Sequence, residues 1–304
     1  MANFIDVTLE CNGMTMRFGK SESGQKREFG ITKIEGLESS ELEVNTTDNA
    51  LVDGSTVDGK RIKNRPIRIE ATLRDDQNNE TNRQRIVKFF NPKYTGKLTV
   101  NHSGTKRTIE YELEGWSFVA GNVYNRLAIV VDLMCPDPFM KNVDNFGRNI
   151  AEISKQTAFP WRVVKQKVIV PDPYKGLALP GQITGYRTLK REVSLPNDGD
   201  VPTGLQVQFI AERGPCTNPK ITLVGSGKFV RVKVEMEKGD VLLVDTKKRH
   251  QVIELNGVNV YQKVDRMSEP FELAVGDNYL EYDADENYTN LDVRLFYTPL
   301  YLGV

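Results

Sequence analysis

Val230-Arg231-Val232-Lys233-Val234-Glu235-Met236-Glu237 places an apolar side chain at every second position and a charge at each position between. A strand sends successive side chains to opposite faces, so this period of two describes an antiparallel strand with one face in a core and the other in water. Upstream, Leu205, Val207 and Phe209 alternate in the same way. Downstream, Asn256-Gly257 separates Val252-Ile253-Glu254-Leu255 from Val258-Asn259-Val260-Tyr261, and Leu291, Val293, Leu295 and Tyr297 supply a last strand. Asn-Gly accepts the left-handed backbone of a tight hairpin turn, and many short strands at close spacing predict a sandwich or jelly roll.

The first half repeats the strand signal with one interruption. Val7, Leu9 and Cys11 alternate before Asn12-Gly13, and Met14, Met16 and Phe18 alternate after it. Ile67, Ile69, Ala71 and Leu73 follow Pro66 with the same period, and a hairpin is expected around Ser103-Gly104, with Ile109, Tyr111 and Leu113 alternating against glutamates. Between these, the spacing of Ile86, Val87, Phe89 and Phe90 fits one short amphipathic helix over about Asn79 to Phe90, ending before Asn91-Pro92. The polar stretch carrying Asp53-Gly54 and Asp58-Gly59 reads as a loop or projecting hairpin. After a more buried strand at Leu127 to Met134, Pro136-Asp137-Pro138 holds the chain extended, and the domain border is expected near Phe139. Between 140 and 200, prolines at 160, 171, 173, 180 and 196 leave one clear strand, Val163 to Val170.

Chain length, charge and cysteine use bound the function. A chain of 304 residues suits two domains, and 41 basic residues balance 41 acidic ones, so no global field attracts nucleic acid or a membrane surface. No apolar stretch approaches the roughly 20 residues of a membrane span. The opening Met-Ala-Asn-Phe-Ile-Asp lacks the features of a secretory signal, which predicts folding in cytoplasm. Cys11, Cys135 and Cys216 are odd in number and far apart, which predicts buried thiols rather than disulfides or a metal site.

Catalytic chemistry finds no anchor. His102 and His250 are the only histidines, and no Gly-x-Ser-x-Gly elbow occurs. Gly225-Ser226-Gly227-Lys228 lacks the first glycine and the hydroxyl residue of a phosphate loop and reads as a turn. Asp283, Asp285 and Glu286 lack the glycine and distal glutamate of a calcium loop and read as a solvated turn, and Lys247-Lys248-Arg249-His250 reads as a charged hairpin tip. Trp116, Trp161, Tyr186 and Tyr261 could stack on sugars, but core or interface packing is the commoner use of such side chains. The expectation is a non-enzyme with no cofactor and no metal.

Several short motifs, in order, give the chain a family resemblance. In the first half they are Ile34-Glu35-Gly36-Leu37, Asp53-Gly54, Arg65-Pro66-Ile67-Arg68-Ile69 and Met134-Cys135-Pro136-Asp137-Pro138-Phe139. In the second they are Asn197-Asp198-Gly199-Asp200-Val201-Pro202-Thr203-Gly204, Asn218-Pro219-Lys220-Ile221, Leu255-Asn256-Gly257-Val258, Gly276-Asp277-Asn278, Tyr282-Asp283-Ala284-Asp285 and the stretch Tyr297 to Val304. The sequence resembles the distal tail proteins of phages with long non-contractile tails, the siphovirus tail component family.

That resemblance implies a mainly β chain. Residues 1–139 would form a ring-building, β-sandwich-like domain with one short helix and a projecting hairpin, and residues 140–304 a galectin-like β-sandwich. It implies a homo-hexameric ring at the virion tail tip, assembled in the bacterial host cytoplasm. The ring would join the tail tube protein to the tail-tip protein, with receptor-binding proteins outside and DNA passing through without specific binding. Asp53, Gly54, Asp58 and Gly59 are then candidates for a neighbour-gripping hairpin, and Pro136, Asp137 and Pro138 for a hinge between domains. A carbohydrate-binding module contacting the host cell wall is the alternative, and a glycan hydrolase, resting on spare carboxylates alone, ranks third. Galectin-like shape does not entail sugar binding, because function belongs to a site.

Overall fold

The computed structural model describes residues 4–49, 53–74, 79–119, 126–142, 146–149, 153–155, 187–189, 191–247 and 251–304. The strand expected at Val163 to Val170, the four prolines from 160 to 180, Trp161, Tyr186, and the basic run at 248–250 lie outside them. The described chain is mainly β with a single α-helix.

The N-terminal half opens with strands β1 (Ile5–Cys11) and β2 (Met14–Gly19), joined at Asn12 and Gly13, whose φ values of 47° and 72° are those a tight hairpin turn demands. Strand β3 (Phe29–Glu35) meets β2 at Phe18, where the Phe18 and Phe29 rings stack 4.8 Å apart. Strands β4 (Leu42–Asp48) and β5 (Ser55–Ile62) leave the sheet as a separate two-stranded ribbon. Strand β6 (Arg65–Leu73), helix α1 (Asn79–Phe89) and strands β7 (Gly96–His102), β8 (Thr105–Val119) and β9 (Ala128–Cys135) complete this half.

These strands close on themselves. The order runs β8-β7-β1-β2-β3-β6-β9, and β9 pairs back onto β8. The half expected to be sandwich-like is therefore built as a barrel, and the reason lies in β8. Its first part pairs with β7 as far as Tyr111, and its second part, from Glu112, pairs with β9. A register shift between Leu113 and Gly115 marks a bulge, which bends the strand and reverses which face its side chains take. Ile109 and Tyr111 point into the core before the bulge, and Trp116 and Phe118 pack against the same core after it. Helix α1 adds Ile86 and Phe89 to this cluster and Phe90 follows at its end, all buried, while Val87 faces water. Each such side chain contributes roughly 1.5–3 kcal/mol by leaving water.

The C-terminal half is a sandwich of two sheets. It begins with β10 (Met140–Asn142), β11 (Phe146–Asn149), β12 (Ile153–Lys155) and β13 (Arg187–Leu189). Next come β14 (Glu192–Asn197), β15 (Thr203–Ala211), β16 (Cys216–Leu223), β17 (Phe229–Arg231) and β18 (Glu235–Met236). Strands β19 (Val241–Asp245), β20 (Val252–Leu255), β21 (Val258–Asn259) and β22 (Glu272–Leu273) precede β23 (Gly276–Glu286), β24 (Leu291–Tyr297) and β25 (Leu300–Tyr301). One sheet runs β11-β24-β15-β19-β20-β21 and the other β14-β23-β16-β17. Leu205, Val207, Phe209, Val293 and Leu295 of the first face Leu195, Ile221, Val230, Leu280 and Tyr282 of the second in one buried cluster.

The stretch quoted at the outset keeps its alternation but not its continuity. Val230, Val232, Val234 and Met236 are all buried, yet the ladder to β16 breaks between β17 and β18. Opposite the break, Asn218 sits at φ 54° and is followed by Pro219, which has no N–H to donate. Across the break the Val232 amide still donates to a β16 carbonyl, that of Pro219 (3.1 Å), while the Lys233 amide turns away to the Lys263 carbonyl (2.8 Å).

Candidate functional site

Two features of the described residues lie at the edges of the two cores. The first is the β4–β5 arm, which carries the candidates Asp53, Gly54, Asp58 and Gly59. Its strands pair Leu42 with Ile62, Val44 with Lys60 and Asn45 with Gly59, then shift so that Thr46 faces Val57. The extra residue is Asp58, whose carboxylate accepts the Thr47 hydroxyl. Partners in a ladder share a face, so this bulge carries Val57 onto the side that already holds Leu42, Val44 and Ile62. The other side is polar, with Arg61 Nε 2.6 Å from Glu43 Oε2 and Thr47 opposite Thr56. Leu42, Val44 and Val57 are 59%, 43% and 49% exposed, although a two-stranded ribbon in water gains little from apolar side chains unless another surface covers them. Asp53 and Gly54 lie at the turn, where Gly54 takes φ 100°.

The second feature is the junction between the halves. β10 pairs on one side with β8 and on the other with β25, so residues 300–301 complete the N-terminal sheet rather than the sandwich. At its centre is Arg65, fully buried. Arg65 Nε donates to the Pro138 carbonyl (2.8 Å), Nη1 to those of Gly36 (2.8 Å) and Leu37 (3.0 Å), and Nη2 to that of Leu302. Burial pulls the Arg65 guanidinium below its ordinary range, but a guanidinium stays charged in proteins. Burial also pushes the thiol of Cys135, paired with Arg65 across the strands, up to about 12.

The surrounding groups are fitted to this arrangement. Gly36 has φ 87°, and a Cβ there would overlap the Pro66 carbonyl oxygen. A Cβ on Gly199 would meet the Leu300 backbone, and one on Gly303 the Glu38 carbonyl. The Asp200 amide donates to the Leu300 carbonyl (2.8 Å), its carboxylate accepts the Leu302 amide (2.9 Å), and the Arg107 guanidinium lies 3.5 Å over the Tyr301 ring. Of the hinge candidates, Pro138 gives its carbonyl to Arg65, Asp137 accepts the Phe139 amide (3.3 Å) and faces Lys141 (3.3 Å), and Pro136 joins them to β9.

Arg65 opens one of the resemblance motifs, and nothing in its residue type alone assigns it this role. The signal was present: the period of two through Ile67, Ile69, Ala71 and Leu73, extended one step back, puts Arg65 on the buried face, as the burial along β6 shows.

Other candidates sit apart from both features. His102 ends β7 at a hairpin tip, Gly225 to Lys228 join β16 to β17, and Trp116 stacks on Phe90 at 5.6 Å in the barrel core, while Tyr261 is exposed. Asp285 is held by Asn218 Nδ2 (2.7 Å) and by Arg231, which keep its carboxyl below the usual range, and Asp283 pairs with Arg191 (2.8 Å). Among the described residues no helix is long and apolar enough to cross a membrane.

A β-barrel with an arm, joined through an arginine-centred junction to a β-sandwich, defines the class of molecule. Residues 198–301 match the family described as siphovirus-type tail component, C-terminal domain. The crystal structure of the Dit protein of phage SPP1, titled a paradigm of the hub adsorption apparatus in phages infecting Gram-positive bacteria, is similar over 97% of this chain and 99% of that one, with a TM-score of 0.65 and 14% identity. A chain of the phage P2 baseplate in its activated conformation with calcium gives a TM-score of 0.47 at 9% identity, covering 98% of each chain. No curated protein matches the sequence. The resemblance to the distal tail proteins therefore holds, in sequence over residues 198–301 and in fold over nearly the whole chain.

Proposed function

We propose that the chain is a structural hub subunit of a phage tail tip, with copies joined head to tail into a hexameric ring between the tail tube and the tail-tip or baseplate proteins. The observation that carries this reading is the exposed apolar face of the β4–β5 arm, on a fold that resembles the SPP1 Dit protein from end to end. A ring needs two different surfaces on each copy, and a projecting ribbon supplies one of them. In this reading residues 1–139 build the ring, with Asp53, Gly54, Asp58 and Gly59 at the gripping end. Residues 140–304 form a galectin-like outer lobe that offers a surface to receptor-binding proteins. The segment Pro136 to Pro138 sets the angle between them. The role is architectural rather than catalytic. Light scattering and negative-stain electron microscopy of the purified chain test it, with sixfold rings expected at micromolar concentration. A monomer that persists at high concentration and with tail partners added would end the proposal.

A further inference from the structure

An arm needs a seat. Between Thr46 and Gly59 the sequence carries Asp48, Asp53 and Asp58 and no cation, and all three aspartates are exposed with no ion-pair partner among the described residues. The arm is thus acidic toward its tip, while its basic residues Lys60, Arg61 and Lys63 lie nearer the root.

A surface of opposite sign lies at the far end of β3. The arm begins at Leu42, beyond the end of β3 at Glu35. Around the start of β3, Thr15, Arg17, Gln25, Lys26, Arg27 and Glu28 line an open cleft of about 380 Å³. Its charges are unequally satisfied. Arg27 is taken by Asp6, and Glu28, the one carboxylate lining the cleft, is taken by Arg85. Arg17 and Lys26 are exposed and, among the described residues, have no carboxylate partner; on the adjoining turn Lys20 and Glu22, both exposed, offset each other in charge. The spare charge lining the cleft is positive and that of the arm tip negative. At about 3.3 Å per residue, β3 sets the arm root and the cleft roughly 20 Å apart at opposite ends of one wall, as a head-to-tail contact requires.

We propose that the acidic tip of one copy's arm seats in the Arg17–Lys26 cleft of the next copy. This rests on the ring reading above and names the surface that receives the arm. The paired charges set register and encounter rate, and the apolar face of Leu42, Val44 and Val57 is covered as the ribbon lies down.

Charge reversal on the full chain tests the seat. Asp48→Lys with Asp53→Lys reverses the tip, Arg17→Glu with Lys26→Glu reverses the cleft, and a third variant carries all four changes. Sedimentation velocity gives the concentration of half-assembly for each, and circular dichroism checks that each is folded. Each one-sided reversal is expected to raise that concentration by about tenfold or more, and the four-change variant to return it to within about threefold of the parent. Recovery in the variant with most substitutions cannot come from misfolding. If the parent forms rings and the cleft reversal assembles as well as the parent does, the seat is wrong and the ring reading stands. If the parent never assembles, the ring reading and the seat fall together.

Discussion

Arg65 is a buried cation facing carbonyl oxygens rather than a carboxylate, and its fork of N–H groups reaches four carbonyls on three segments of chain at once. Arg65→Met leaves those acceptors without their donor and is expected to lower stability by about 3 kcal/mol in urea unfolding; Arg65→Lys, with a charge but no fork, recovers less than half of it. Gly36→Ala meets both a left-handed backbone and the Pro66 carbonyl, so a loss of about 2–4 kcal/mol is expected by the same measurement. The thiols give a pH dependence. Burial pushes Cys135 up to about 12 and Cys216 up to about 11, so the fold favours the protonated form. This stabilisation is complete below the unfolded value of 9.0 and is lost as pH rises from there through the folded values. Urea midpoints should fall above pH 9, and a thiol reagent at pH 8 should label these cysteines only after unfolding. Rapid labelling without denaturant would contradict their burial.

At the scale of elements, the sequence was most legible where one rule acts alone. Asn12-Gly13, Ser103-Gly104 and Asn256-Gly257 each form the hairpin turn their backbone preferences demand, and α1 runs Asn79–Phe89. Closure of the barrel was not legible, because it depends on a bulge near Glu114 and on one strand serving two neighbours, neither of which leaves a local signature. The break between β17 and β18 was hidden likewise, since the alternation in Val230 to Met236 survives while its partner strand turns at Asn218-Pro219. The arm was visible as turns and polar residues, but its apolar face was not, because only the bulge at Asp58 brings Val57 into line with Val44. In the arm's root the Lys63 amide already donates to the Glu41 carbonyl (2.9 Å), so Leu42–Ile62 can be replaced by a short Asn-Gly turn. Calorimetry should then show a Tm within about 3 °C of the parent, because the ribbon adds nothing to either core, while light scattering shows loss of assembly. A large drop in Tm would mean that the arm supports its own barrel.

The described residues form two cores and one junction, and the resemblance motifs explain why. Ile34 to Leu37, Arg65 to Ile69, Met134 to Phe139, Asn197 to Gly204 and Tyr297 to Val304 lie far apart in sequence and meet around Arg65 and β25. Removing residues 298–304 should uncouple the halves, so that calorimetry resolves two transitions where the full chain gives one. A single unshifted transition would show that the junction carries no coupling. The same junction orders events during synthesis. Arg65 waits for a carbonyl 237 positions later in the chain, so the junction on the barrel is finished only once the sandwich has been made. A polypeptide broken off before β25 leaves β10 with a bare edge and an arginine lacking one acceptor.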